Sequence, residues 1–338
     1  MPTPRIAIIG AGITGLTLAT LLGGHAAVVV VDKSRGVGGR MASRRVGEAS
    51  FDHGAQFFTA RSKAFQRFLQ PWMDSGTVKA WAPRVLTLEA GTKPYRRDWF
   101  EPHYVGTPVM TALPKALAAG LNLTLQAEVT KVEREAEAWW LTFADSSRAG
   151  PFDWVVATAP APQILNWFPS VFSGLEALQQ VRYAPCFALM LGFAELPELR
   201  FDAARVKSSP LDWIVRGGSK EGTVPQQTLL LHSTRAWAAE QLEAESSLIV
   251  DTLCKALDNT IGIPLPLPEF SLLHRWRYAS TVQTTSSAFE LDVTNSLAAC
   301  GDWSIFSDAD NGGTRVESSF LSASALAERL LTLPGFRA

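Results

Sequence analysis

The residues with the plainest chemical use stand near the N-terminus, in Gly10-Ala11-Gly12-Ile13-Thr14-Gly15, with Asp32 and Lys33 following. Glycines at this spacing suit the close approach of a peptide backbone to a pyrophosphate. Gly10 permits a sharp turn, Gly12 lets the backbone come up to the phosphates, and Gly15 lets a helix pack on the strand before it. The free N–H groups at the helix start then meet the phosphate charge. Asp32, about 20 residues on, can accept hydrogen bonds from the ribose of the same dinucleotide. A glycine motif alone is a weak signal. Here the apolar run Arg5–Ile9 precedes it, Ile13–Leu22 runs without a breaker to Gly23-Gly24, and Val28–Val31 closes on Asp32. Strand, turn, helix and strand form the context that dinucleotide binding requires.

Directly after the acid comes Arg35-Gly36-Val37-Gly38-Gly39-Arg40-Met41, a second glycine-rich turn for which a nicotinamide dehydrogenase has no use. Near the other end, Leu297–Cys300 reads as a buried strand running into Gly301-Asp302. Asn311-Gly312-Gly313-Thr314 then precedes a helical stretch beginning near Val316. A helix start there would aim its positive end at a ring on which negative charge builds. Two further segments carry chemistry-bearing side chains: Asp52-His53-Gly54-Ala55-Gln56-Phe57 and His274-Arg275-Trp276-Arg277-Tyr278.

Together these segments resemble the FAD-dependent amine oxidase superfamily, and within it the bacterial branch of the renalase family. The resemblance spans nearly the whole chain and is weakest around residues 166–225. It implies an α/β fold, a Rossmann-type FAD-binding domain with a discontinuous α+β substrate domain, as in the amine oxidases and the p-hydroxybenzoate hydroxylase-like proteins. It implies FAD held by the Gly10–Gly15 turn, Asp32 and Lys33, by Gly38, Gly39, Arg40 and Met41, and by His53, Gly54, Ala55, Gln56 and Phe57. Val129 would touch adenine through its backbone, Asp302 the ribityl chain or pyrophosphate, and Gly312, Gly313 and Thr314 the flavin ring. The implied activity is oxidation of the 2- and 6-dihydro isomers of NAD(P) to NAD(P)+, a repair of these isomers, with O2 reoxidising the flavin to give hydrogen peroxide.

Such chemistry asks little of the protein. A dihydropyridine regains aromaticity when it loses hydride, so it needs no general base, only a ring held at near-attack distance. Gln56, His274, Trp276 and Tyr278 are the candidates for catalysis, as a polar group and an aromatic wall. The alternative is a flavin-containing amine oxidase, which must deprotonate and desolvate an amine; a dehydrogenase and a flavoprotein without turnover are further rivals. His53 could equally lock a turn. Arg275 and Arg277 alternate with the aromatic residues and could hold substrate phosphates or face solvent. His232, on an apolar strand, reads as a core histidine with a hydrogen-bond partner.

These residues must be positioned by a chain of 338 residues, of which 47% are hydrophobic. That length suggests two units, each with enough apolar material for a core. Thirty-one basic against 32 acidic residues, a net charge of -1, leaves no footprint for nucleic acid. Cys186, Cys254 and Cys300 form no Cys-x-x-Cys pair, so neither a disulfide framework nor a metal site is expected. The aliphatic stretch Ala26–Val31 is far short of the roughly 20 residues of a membrane span, and a cytoplasmic protein follows. Because the motifs fall at both ends and in the middle, residues 1–58, 106–165 and 292–338 are expected to build the FAD-binding domain. Residues 59–105 and 166–291 would build the substrate domain. Within them, Leu123–Val132 and Phe152–Pro160 read as strands, Phe187–Gly192 and Leu229–Thr234 as parts of an antiparallel sheet, Ala236–Leu257 as one helix, and Gly217–Gly222 as a mobile turn.

Overall fold

The strand Arg5–Ile9 exposes only its first residue and lies inside a six-stranded sheet. The order across that sheet is Glu290–Asp292, Leu297–Ala299, Trp154–Ala157, Arg5–Ile9, Ala27–Val31, Asn122–Thr124. A computed structural model describes this arrangement for residues 3–98, 100–223, 226–304 and 316–336. All neighbours are parallel except the edge pair Glu290–Asp292 and Leu297–Ala299. Parallel pairing brings the C-terminal ends of the strands to one edge, where open α/β sheets bind their ligands. Gly10, Asp32, Thr158 and the Gly301-Asp302 turn all follow those ends.

The helix Ile13–Leu22 packs beside the helix Val316–Leu331, and Leu16, Leu18, Phe320, Ala323 and Leu326 share one core with Ile6 and Ile8. Between residues 59 and 105 the helix Lys63–Asp74 also joins this core, with Phe65 and Phe68 against Phe320.

A seven-stranded sheet forms the second layer, in the order Phe270–Gln283, Arg182–Gly192, Thr228–Ser233, Leu211–Arg216, Ala203–Val206, Val85–Leu88, Tyr95–Arg96. One face is covered by the helix Ser246–Ile261 through Ile249, Leu253 and Leu257, which pack with Phe187, Leu189 and Leu231. The other carries Ala188, Met190 and Leu230, and Phe51 packs onto it.

Three readings of the sequence are corrected. Leu123–Val132 is not one strand: Asn122–Thr124 ends in the six-stranded sheet, and Val129–Glu135 starts a separate three-stranded one. Gln126 stands at φ +57°, its N–H donating to Ser34 O while Ala127 N–H donates to Asp32 O, and these bonds turn the chain out of the first sheet. Phe152 likewise belongs to that small sheet. Asp153, bonded through its N–H and carboxylate to the backbone of Arg5, separates Phe152 from Trp154–Ala157. Ala236–Leu257 is two helices, Arg235–Glu240 and Ser246–Ile261. The interruption leaves Glu243 and the Ala244 carbonyl to receive Arg277 and Arg275.

Candidate functional site

The first glycine turn is built as a cradle. A Cβ on Gly15 would lie 1.9 Å from Gly10 O, so only glycine lets the helix start this close to the strand end. A Cβ on Gly12 would meet nothing within 4 Å. The backbone at Gly12, with Ile13 and Thr14 buried behind it in the first helical turn, therefore faces open space of the kind a pyrophosphate occupies. The second glycine turn lies against the first: Gly38 N–H donates to Ala11 O at 2.8 Å, and a Cβ on Gly39 would be 3.5 Å from Gly12 Cα. Asp32 braces both sides, its carboxylate accepting from Ala11 N–H and Ser34 N–H at 2.7 Å each. Lys33 is exposed and pairs with Glu128 at 3.7 Å. Val129 is buried in the core that also holds Val31.

Arg40 and Asp302, assigned to the cofactor from opposite ends of the chain, meet each other. The guanidinium donates two hydrogen bonds of 2.6 Å to the two carboxylate oxygens, and Asp302 is 5% exposed. Met41 is buried beneath this turn. Ala55 N–H donates to Arg40 O at 2.8 Å, and a Cβ on Gly54 would sit 2.0 Å from that oxygen. The segment His53–Phe57 is thus seated on the second glycine turn. Gly312, Gly313 and Thr314 lie outside the described residues.

Above this segment stands the face of the seven-stranded sheet. His274 and Trp276 project from the strand Phe270–Gln283 toward His53, whose ring lies edge-on to His274 at 4.8 Å and stacked with Trp276 at 5.2 Å. His53 O accepts hydrogen bonds from Trp276 Nε1 at 2.9 Å and from His232 Nε2 at 3.0 Å. The expected partner of His232 is therefore found, and it is part of the site. Tyr278 lies further along the same strand, edge-on to Tyr183 at 5.4 Å. The alternation left open in the sequence is resolved: Arg275 and Arg277 face the Glu243–Ala244 segment, away from the wall.

Gln56 is buried and donates from Nε2 to Asp52 O, while its Oε1 has no hydrogen-bond partner among the described residues. Phe57 points into a separate aromatic group, 4.6 Å from His103 and 6.0 Å from Trp213. Burial, with the charge of Arg44 and competition with His274 for a proton, pulls His53 down to about 4, and burial pulls His232 down to about 4. His274 is lowered as well, by burial and by Arg44. All three imidazoles are uncharged near neutral pH, and the wall is neutral.

Three contributors escaped the sequence reading, and a fourth, Asp52, had no role in it. Asp52 forms a buried ion pair with Lys220 at 2.6 Å and also accepts from Ser43 Oγ and Met110 N–H. Lys220 anchors the Gly217–Gly222 turn, expected to be mobile, and both residues line a cavity of about 250 Å³ together with Gln56 and Phe51. Tyr183 accepts from Ala161 N–H at 3.3 Å, and burial, with Asp302 nearby, pushes its hydroxyl well above the usual phenol range. The charge of Arg44 acts on His53 and His274, and that of Lys220 on His232. A lone charge inside a glycine-rich or Arg-rich stretch carries no periodic signal, which is why only the Asp-His-Gly context hinted at any of them. Among the described residues no group of three or more His, Cys, Asp or Glu side chains could hold a metal ion. No helix among them is long and apolar enough to cross a membrane.

A glycine cradle at the carboxyl edge of a parallel sheet, capped by a second sheet that carries an aromatic wall, defines a two-layer dinucleotide-dependent oxidoreductase. The family follows from comparison with known proteins. The NAD(P)-binding Rossmann-like domain matches residues 8–72, and the family of flavin containing amine oxidoreductases matches residues 60–331. The chain belongs to the flavin containing amine oxidoreductase family, as the motif resemblance implied. Renalase of Mus musculus is similar, 25% identical over an alignment of 305 residues that covers 83% of this chain and 86% of the mouse protein. A crystal structure of a candidate protoporphyrinogen oxidase from Exiguobacterium sp. 255-15 shares the fold, with a TM-score of 0.75 at 12% identity, covering 98% of this chain and 99% of that one.

Proposed function

We propose that the chain is an FAD-dependent oxidase that takes hydride from the 2- and 6-dihydro isomers of NAD(P). It would release NAD(P)+ and reduce O2, with one solvent proton, to hydrogen peroxide, as a cytoplasmic repair activity. The observation that carries this reading is the wall of His274 and Trp276 packed on His53, with Tyr278 further along the same strand. Likeness to mouse renalase supports it.

The residues present fit FAD. The open space over Gly12 would take the pyrophosphate, Asp32 keeps lone pairs for a ribose, and Arg40, Asp302 and Gly54–Phe57 would border the flavin. When bound, FAD supplies the two-electron acceptor and the route to O2. The protein's part is orientation and exclusion of water. Trp276, fixed by its bond to His53 O, presents a face to a nicotinamide ring, and Tyr278 continues that wall toward Tyr183 and the Arg40–Asp302 pair. No proton has to leave the substrate, so neutral histidines suffice. We assign residues 1–58, 106–165 and 292–338 to the cofactor-binding unit and 59–105 and 166–291 to the substrate unit.

The family name favours a second reading, an amine oxidase. Against it stands the charge beside the wall, that of Arg44, which disfavours an incoming alkylammonium. Mixing the oxidised enzyme anaerobically with each dihydro isomer, with ordinary NADH and with a panel of amines separates the two. The isomers are expected to bleach the flavin within the mixing experiment, NADH slowly and amines not at all. Rapid bleaching by an amine with inert isomers overturns the proposal.

A further inference from the structure

Arg44 opens a short hairpin in which Arg44 pairs with Phe51 and Val46 with Ala49. Directly opposed residues of a hairpin share a face, and alternate residues along a strand do so too. Arg44, Val46, Ala49 and Phe51 therefore point the same way. Three of these four pack into one apolar cluster with Leu272 and Trp276 of the seven-stranded sheet. The fourth, Arg44, stands on the same face of the hairpin, and both His53 and His274 feel its charge.

Arg44 as a residue is half-buried, and its guanidinium has neither a hydrogen bond nor an ion pair among the described residues. Other arginines of comparable burial are bound: Arg40 to Asp302, Arg275 to Ala244 O and Arg216 to Asp202. A partly desolvated arginine is ordinarily matched with an anion, because its charge is costly to leave alone. A fixed fork of donors suits a phosphate in particular.

We propose that Arg44 is the anion-binding residue of the substrate site, holding a phosphate of a nucleotide whose ring lies against Trp276 and Tyr278. This rests on the reading of the substrate as a nicotinamide dinucleotide. The strand sets the spacing. His274 marks the Arg44 end and Tyr278 the end next to Tyr183 and the Arg40–Asp302 pair. Four residues separate them, and with the strand irregular between Trp276 and Ser280 the span is at most about 13 Å, room for a nicotinamide ring, its ribose and the first phosphates. Arg44 would then select substrates by their phosphates while taking no part in hydride transfer.

Two measurements on the FAD-loaded protein test this. In calorimetric titration with ADP, which has the diphosphate and no nicotinamide, wild type binds, Arg44→Met binds at least tenfold more weakly, and Arg44→Lys falls between. In anaerobic bleaching, Arg44→Met raises the half-saturating concentration of 6-dihydro-NAD at least tenfold at an unchanged limiting rate. The same variant leaves 6-dihydronicotinamide riboside, which has no phosphate, unaffected. Wild type that ignores ADP, ADP binding indifferent to Arg44, or equal loss with dinucleotide and riboside overturns the assignment. Arg44-dependent ADP binding in a protein that no dihydro isomer bleaches keeps the phosphate subsite and sinks the substrate reading.

Discussion

Arg40→Met and Asp302→Asn, made singly and together, ask whether the two ends of the chain form one cofactor surface. The pair has two N–H···O bonds of 2.6 Å, with Asp302 5% and Arg40 29% exposed. Burial opposes the charge on Arg40, and Asp302 more than restores it. Removing Arg40 strands a buried carboxylate, a loss of about 3–5 kcal/mol. Removing the charge of Asp302 is milder, about 1–2 kcal/mol, because the guanidinium can turn toward water. The double variant has no stranded charge, so it should lose less than the sum, with a coupling of about 1.5–3 kcal/mol. Urea unfolding of the FAD-free protein gives these values, and the same variants loaded with FAD should shed the cofactor on dilution. Single effects that add to within about 0.5 kcal/mol would refute the reasoning, since sites that do not touch are additive to that degree.

Gly12→Ala and Gly15→Ala should behave oppositely. The first adds a Cβ in open space, so the apoprotein keeps its unfolding midpoint while FAD retention falls. The second forces a Cβ to 1.9 Å from Gly10 O, and folded protein should be scarce. Normal FAD binding by Gly12→Ala would show that no phosphate lies there. Stability should also fall as the pH drops from 6.5 toward 4, because the unfolded chain takes up a proton on His53 that the folded one, at about 4, refuses. That group contributes about 3 kcal/mol over the whole window, at most about 1.4 kcal/mol per pH unit, and His53→Phe should make the pH dependence shallower in denaturant titrations while His232 keeps its own share. An unchanged slope would mean His53 is not buried as a neutral ring. Arg277→Ala, which cuts only an exposed pair with Glu243, should leave both the unfolding midpoint and the bleaching rate as they were. A slower variant would put Arg277 at the site after all.

The cofactor half was legible because its signals are local. The turn Gly10–Gly15, the strands on either side and Asp32 lie within one βαβ unit, where spacing along the chain is spacing in space. The same local reasoning went astray where a chain leaves one sheet for another. The alternation of Leu123–Val132 runs through the break at Gln126, because alternation registers two buried faces without saying that they belong to different sheets. The helix Ala236–Leu257 failed for a related reason, since where it is interrupted Glu243 and the Ala244 carbonyl meet Arg277 and Arg275 of a distant strand, which no local window contains.

The sequence by itself determined the fold class and the family, and it marked the glycine turns and His274, Trp276 and Tyr278 as candidates. Only tertiary structure decided who meets whom. Arg40 finds Asp302 across 262 residues, Trp276 bonds to His53 O across 223, and Lys220 reaches Asp52 across 168. Each meeting depends on the register of a sheet, and a slip of one residue would turn every side chain of a strand to the opposite face. Such registers arise from packing between elements far apart in the chain, and no window of neighbouring residues contains them.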